Sequence, residues 1–194
     1  MKKLSLILAL IITCLASVYG QSSVLFGYEQ VLPSDTVTCI AQDADGNILI
    51  GTRNGLVSYD GADFSLITTA NGLAGNSIND ICVAPDGKVY VATTTGVSIS
   101  NGNAWQNDFT GSNIRKISAL ADGRFWYATL TSVIEFNSGT TTVILDDFDY
   151  SNVVTGLFVD RGQNVWVSCN GNLVEICADG KLKSFSDVFS GKVV

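Results

Sequence analysis

Histidine is absent from the 194 residues. Without it the chain can build neither a Ser-His-Asp triad nor a Cys-His dyad, and it lacks the commonest zinc ligand. The side chains that could still do chemistry are mainly carboxylates. Asp43-Ala44-Asp45-Gly46-Asn47 puts oxygen ligands at alternate positions, as a calcium loop requires, but the rest of an EF-hand loop and its closing Glu are missing. The same residues suit a β-hairpin turn, because Gly takes positive φ without steric cost and Asp bonds nearby backbone. That second reading is the simpler one. Asp146-Asp147-Phe148-Asp149-Tyr150 is a local acidic cluster suited to a metal or sugar contact, or to a solvated connection between elements. Glycosidase chemistry needs two carboxylates facing across one bond, and no pair is singled out. Neither a GxxxxGK nor a GxGxxG phosphate loop occurs. The chain therefore reads as non-enzymatic, with no catalytic residue, no metal ligand and no cofactor expected.

The elements that would carry such residues repeat. The apolar anchors Ile40, Ile81, Ile117 and Leu157 are separated by 41, 36 and 40 residues. A period near 40 built of short strands points to the blades of a β-propeller. Each repeat opens with a short apolar strand and a turn: Asp43 to Gly46, Pro85-Asp86-Gly87, Asp122-Gly123, or Asp160 to Gln163. A second strand follows at 48–52, 89–93, 125–129 and 165–169, apolar on both faces, as a sheet packed on both sides demands. Within it Leu49, Tyr90, Trp126 and Trp166 are large, while Gly51, Ala92, Ala128 and Ser168 two residues on are small. That alternation suits wedges tapering toward an axis. A tight turn at Gly55, Gly96, Ser132 or Asn172 leads to a third strand, and a fourth begins at Phe64 or Trp105 in the first two copies. The expected fold is all-β: a β-propeller of four-stranded antiparallel blades, four of them present at about 37–69, 78–110, 114–145 and 153–185.

The ends carry separate signals. Lys2 and Lys3 precede an apolar run over 4–16, and Val18 and Gly20 are acceptable small residues before a cut ahead of Gln21. Residues 1–20 read as a secretory signal peptide, and no membrane span is expected in the mature chain. Residues 24–31 read as a strand with no vacancy among the four blades, and 192–194 match the onset of a fifth repeat. The expectation is an open or truncated part of a larger propeller, whose uncovered edges would take further blades or self-associate. Removing Lys2 and Lys3 leaves 9 basic against 18 acidic residues, a net −9. Nucleic acid and anionic membrane, which need a basic footprint, are not expected partners. Export also leaves Cys39, Cys82, Cys169 and Cys177 in an oxidising compartment. Cys39 with Cys82 is the pairing that spacing favours, but small buried core residues are the simpler reading for all four. Cys169 is not expected to pair with Cys177, because a tight turn at 170–172 would set Val165 opposite Cys177.

The run from Gln42 to Gly61 combines an Asp-x-x-Gly turn, an apolar strand ending Gly51-Thr52, then Asn54-Gly55-Leu56 and Tyr59-Asp60-Gly61. With Phe64, Asn71-Gly72-Leu73 and Asn76-Ser77-Ile78, it resembles the two-component regulator propeller repeat. The second copy follows with Ala92-Thr93. The third and fourth drift, with Ser132, Gln163 and Cys169 at the turn and strand-end positions. Such resemblance implies an exported sensing propeller, often for oligosaccharides, as found in the periplasmic or extracellular region of hybrid sensor kinases. The function expected is a ligand-binding module, the N-terminal part of a two-component sensor, for an oligosaccharide or protein ligand. A secreted or surface scaffold without signalling is the alternative, and a propeller lyase or glycosidase comes third. The streptogramin lyases, propeller enzymes of similar repeat type, rely on His, which this chain lacks. Ligand contacts are expected on a propeller face where loops converge. Arg53 and Asn54, Thr94 and Thr95 in the equivalent turn, and Asp147 and Tyr150 are the candidate binding residues.

Overall fold

Among the described residues, sixteen short strands form four separate antiparallel sheets of four, each in simple meander order. The computed structural model describes residues 31–100, 102, 104–145, 154–169 and 172–185. Blade 1 comprises β1 (Val37–Gln42), β2 (Ile48–Thr52), β3 (Gly55–Tyr59) and β4 (Phe64–Ile67). Blade 2 comprises β5 (Ile78–Val83), β6 (Val89–Thr93), β7 (Gly96–Ser100) and β8 (Trp105–Asp108). Blade 3 holds β9 (Lys116–Ala119), β10 (Phe125–Ala128), β11 (Val133–Asn137) and β12 (Thr140–Leu145). Blade 4 holds β13 (Val154–Val159), β14 (Val165–Cys169), β15 (Asn172–Ile176) and β16 (Leu182–Ser184). A 3-10 turn, Thr69–Asn71, joins blades 1 and 2. The leader at 1–20, residues 24–30, the acidic cluster at 146–150 and the fifth-repeat signal at 192–194 all lie outside the described residues.

First strands lie side by side, β1 against β5, β5 against β9 and β9 against β13, so the blades stack around a common axis. Among the described residues the sheets do not close into a ring; they form a partial, open propeller. Side-chain alternation explains how the joints are filled. Leu49 and Leu56 of blade 1 meet Val89 and Val91 of blade 2. Tyr90 and Val97 meet Phe125 and Tyr127 at the next joint. Trp126 and Val133 meet Val165 and Val167 at the third. Every residue of β6 and β10 is therefore buried, because both faces of those sheets are covered. In β2 and β14 burial alternates along the strand, since the end blades have a described neighbour on one face alone. Ile40 is 66% exposed and Phe158 61% exposed on those outer faces.

The turn chemistry follows the repeat. In blade 1, Asp43 Oδ1 accepts from the amides of Asp45 (3.0 Å) and Asn47 (2.8 Å), and Asp43 Oδ2 accepts from Asn47 Nδ2 at 2.7 Å. Both oxygens are thus engaged in holding the hairpin. Gly46, Gly87 and Gly123 take φ of 91°, 87° and 86°, and Gln163 is held at 65° in the matching place of blade 4. A side chain there is strained by roughly 1–2 kcal/mol. Asp160 supplies the compensation. It accepts from the Asn164 amide (2.9 Å), Asn164 Nδ2 (3.0 Å) and Trp166 Nε1 (3.0 Å).

These donors, the indole first and then Asn164, hold the Asp160 carboxyl down from its ordinary 3.8 to about 2. A depressed folded-state value means that the stabilisation is present above pH 3.8 and is lost as pH falls toward about 2. Asp160→Asn is accordingly expected to lower the melting temperature at pH 7. The gap between variant and wild type should narrow across that acid window, as read by thermal melts at a series of pH values.

The Gly-Thr ending of the second strand also has a mechanical reason. Thr52 and Thr93 are fully buried, and each Oγ1 donates to the carbonyl three residues on, Gly55 or Gly96, at 2.8 Å. Each also accepts the amide two residues on, from Asn54 or Thr95, at 3.1 Å. Thr129 does the same for the Thr131 and Ser132 amides, and so sits in the turn, with β10 ending at Ala128. These threonines fix the β2–β3 class of turn, from which Arg53 and Thr94 project.

The cysteine reading needs two corrections. Cys39 packs into the joint between blades 1 and 2, whereas Cys82 packs into the joint between blades 2 and 3. The sheet of blade 2 separates them, and all four described cysteines are free thiols. Desolvation by burial pushes the Cys39 thiol up to about 11. In blade 4, Val165 pairs with Ile176 and Cys169 with Asn172, so Cys177 falls one residue past the ladder.

Candidate functional site

Four strands starting at one end of the arc put their first residues close together. The residues two places before the anchors are Thr38, Asn79, Arg115 and Thr155. All are polar, and the last three line a single cleft of about 420 Å³. Arg53 from the β2–β3 turn, Thr94 from the β6–β7 turn, and Ser77, Asn113, Lys116 and Val154 complete it. Every blade thus contributes to one cavity near the axis.

Hydrogen bonds hold the walls. Asn79 Nδ2 donates to Asn113 Oδ1 (3.0 Å) and to the Ile114 carbonyl (2.7 Å), tying blade 2 to the start of blade 3. The Thr94 amide donates to the Ser77 carbonyl at 3.1 Å, and the Arg115 amide to the Ala128 carbonyl at 2.7 Å. Thr155 Oγ1 donates to the Ser168 carbonyl at 3.2 Å. Lys116 Nζ lies 3.7 Å from Asp80 Oδ1, and Asp80 Oδ2 accepts the Ile117 amide. Burial raises the Asp80 carboxyl above its ordinary value, opposed chiefly by the Lys116 charge. Among the described residues no salt bridge engages Arg53 or Arg115. An acidic chain therefore presents two guanidinium groups at one cleft, surrounded by amide and hydroxyl side chains. Such a surface can hold a carboxylate by charge-assisted bonds and hydroxyl groups by Asn, Ser and Thr.

The six expected binding residues divide. Arg53 and Thr94 line the cleft together. Asn54 and Thr95 are structural: Asn54 Nδ2 donates to the Pro33 carbonyl at 3.0 Å, and Thr95 Oγ1 to the Ala74 carbonyl at 2.7 Å. Asp147 and Tyr150 lie outside the described residues. Sequence reasoning missed Ser77, Asn79, Asn113, Arg115, Lys116 and Thr155. Aligning the four anchors would have exposed the row at anchor minus two, which holds a polar residue beside the first residue of an apolar strand in every copy.

The sequence pattern described as Two component regulator propeller matches residues 31–54 and 72–95. No curated protein matches the sequence. Among solved structures, the fold is similar to that of a catalytically inactive histidine-to-alanine virginiamycin B lyase from Staphylococcus aureus with quinupristin. The TM-score is 0.64 at 15% identity, over 79% of this chain and 57% of that one. It is also similar to the extracellular domain assigned to a hybrid two component system of B. thetaiotaomicron, at TM-score 0.63 and 19% identity, over 80% of this chain and 23% of that one. A second such domain from that organism gives TM-score 0.59 and 23% identity, over 76% of this chain and 21% of that one. The chain thus spans little more than half the lyase and under a quarter of the sensor domains, and these are likenesses of fold. Among the described residues no helix is long and apolar enough to cross a membrane. The two matched repeats, set in four stacked blades, make the chain similar to the two component regulator propeller family over residues 31–54 and 72–95.

Proposed function

We propose that the chain is an exported, non-enzymatic ligand-binding module, the propeller part of a two-component sensor, and that it takes an acidic oligosaccharide in the axial cleft. The observation that carries this reading is the cleft itself: all four blades line it, and it sets Arg53 and Arg115 among Asn79, Asn113, Thr94 and Thr155. Guanidinium groups recognise carboxylates through paired N–H donors, and the amide and hydroxyl side chains match sugar hydroxyls. The matched repeats of the two component regulator propeller family support the sensing role and export.

Calorimetric titration with trigalacturonate, against neutral maltotriose, tests the reading. Saturable binding of the acidic sugar is expected, weakening as salt rises. Arg53→Ala and Arg115→Ala should each lower its affinity about tenfold or more, the scale of one lost charge-assisted bond. Equal affinity for both sugars, or unchanged affinity in both variants, would overturn it.

A further inference from the structure

A second cleft, of about 350 Å³, opens between blades 3 and 4 at the opposite end of the strands, where the β9–β10 and β13–β14 turns meet. Trp126 forms part of its wall and is only 3% exposed. Its Nε1 is buried and has no hydrogen-bond partner among the described residues. A buried N–H left unpaired keeps its full desolvation penalty, so its persistence calls for an acceptor.

The repeat itself shows what is missing. Trp166 occupies the same place in blade 4, and its Nε1 donates to Asp160 Oδ2 at 3.0 Å. The residue of blade 3 that corresponds to Asp160 is Leu120, which packs on the core instead. The counterpart of Asn164 is Arg124. Blade 3 has thus exchanged the Asp–Asn pair of the turn for Leu–Arg, and the exchange both removes the indole's acceptor and places a cation beside it. Arg124 is fully engaged. Its Nε donates to Asp122 Oδ2 and its Nη2 to Gln163 Oε1, both at 2.8 Å, and its Nη1 lies 3.9 Å from Glu135 Oε1. The guanidinium carbon sits 5.7 Å from the centre of the Trp126 ring.

The charged side chains lining the cleft are Arg124 and Glu135, which offset each other, so the cleft offers no net charge to an ion. It offers one unpaired donor, the Thr142 hydroxyl, and the apolar side chains of Ile144 and Val165. We propose that this cleft binds a small neutral polyol or monosaccharide, one hydroxyl oxygen of which accepts the Trp126 Nε1 hydrogen while its C–H face rests on Ile144 and Val165. The site is separate from the axial cleft and stands or falls independently of it.

The indole N–H signals of Trp105, Trp126 and Trp166 in ¹⁵N-labelled protein report on the site directly. Trp126→Phe assigns the signal that matters. Titration with xylitol and with D-glucose should move the Trp126 signal saturably with at least one of them and leave the Trp166 signal in place. Excess trigalacturonate should not reverse the shift. Leu120→Asp restores the acceptor that Asp160 gives Trp166. It should shift the Trp126 signal without ligand and lower polyol affinity about tenfold or more. Thr142→Val, on an exposed strand and so tolerated by the fold, should also weaken binding. A Trp126 signal that stays still with both probes, or drifts without saturating, would mean that solvent water alone serves the indole, and would overturn the proposal. Reversal of the shift by trigalacturonate would also overturn it, by placing both ligands at one site.

Discussion

Phe125→Ala is expected to lower the unfolding free energy by about 3–5 kcal/mol, the range for deleting a buried aromatic ring. Phe125 is 1% exposed at the start of β10, in the joint between blades 2 and 3. Its ring centre lies 4.8 Å from that of Phe136, 5.2 Å from Tyr90, 6.0 Å from Phe109 and 6.2 Å from Tyr127. Removing it leaves a void that four rings cannot fill without leaving their rotamers. The middle joint also couples the two halves of the arc. Urea denaturation followed by tryptophan fluorescence measures the loss. A change below about 1 kcal/mol would contradict the packing described, because even a partly collapsed cavity exceeds it.

Gly51→Leu should cost about 1–3 kcal/mol or more through overpacking. A Cβ at Gly51 would meet Cys39 Sγ, then Ile78 Cγ2 at 2.9 Å and Thr38 Oγ1 at 3.1 Å. Blades 2 and 3 carry alanine at this place, Ala92 and Ala128, and blade 4 carries Ser168. The difference in blade 1 is Cys39, whose side chain fills the space beside the bulge between Val37 and Cys39. Even Gly51→Ala should therefore destabilise, although its counterparts tolerate the methyl group. Cys39→Ala should recover part of that loss in the double variant, with a coupling of about 0.5–3 kcal/mol for residues in contact. Additive effects of the two substitutions would show that Cys39 does not set the requirement.

Most of the architecture was readable because each strand repeats a local pattern. Leu49, Tyr90 and Trp126 declared the joint faces by size alone, and the Asp-Gly turns fixed the hairpins. What could not be read were relations between blades. Cys39 and Cys82 look like neighbours one repeat apart, but offsets of −1 and +1 from their anchors put each on the same face of its own sheet, so the blade 2 sheet lies between them. Cys177 missed its expected partner by one residue, since β14 and β15 pair Cys169 with Asn172. The site divided on the same principle. Arg53 and Thr94 were legible as turn residues of exposed type. Asn54 and Thr95 have the same type, but their side chains brace neighbouring backbone. Arg115 and Asn79 were hidden because a polar residue at the start of a buried strand is unremarkable in one copy and becomes a row only when copies are superposed. The orphaned indole of Trp126 shows only by contrast with Trp166, whose Asp160 it lacks.

The most direct test of the account is a map of backbone amide shifts in ¹⁵N-labelled protein titrated with trigalacturonate. The predicted result is one contiguous set of perturbed amides at Arg53, Ser77, Thr94, Arg115 and Thr155, drawn from every blade and confined to the axial cleft. Perturbations gathered on the opposite turns, around Asp43, Asp86, Asp122 and Asp160, or no saturable perturbation at all, would contradict it.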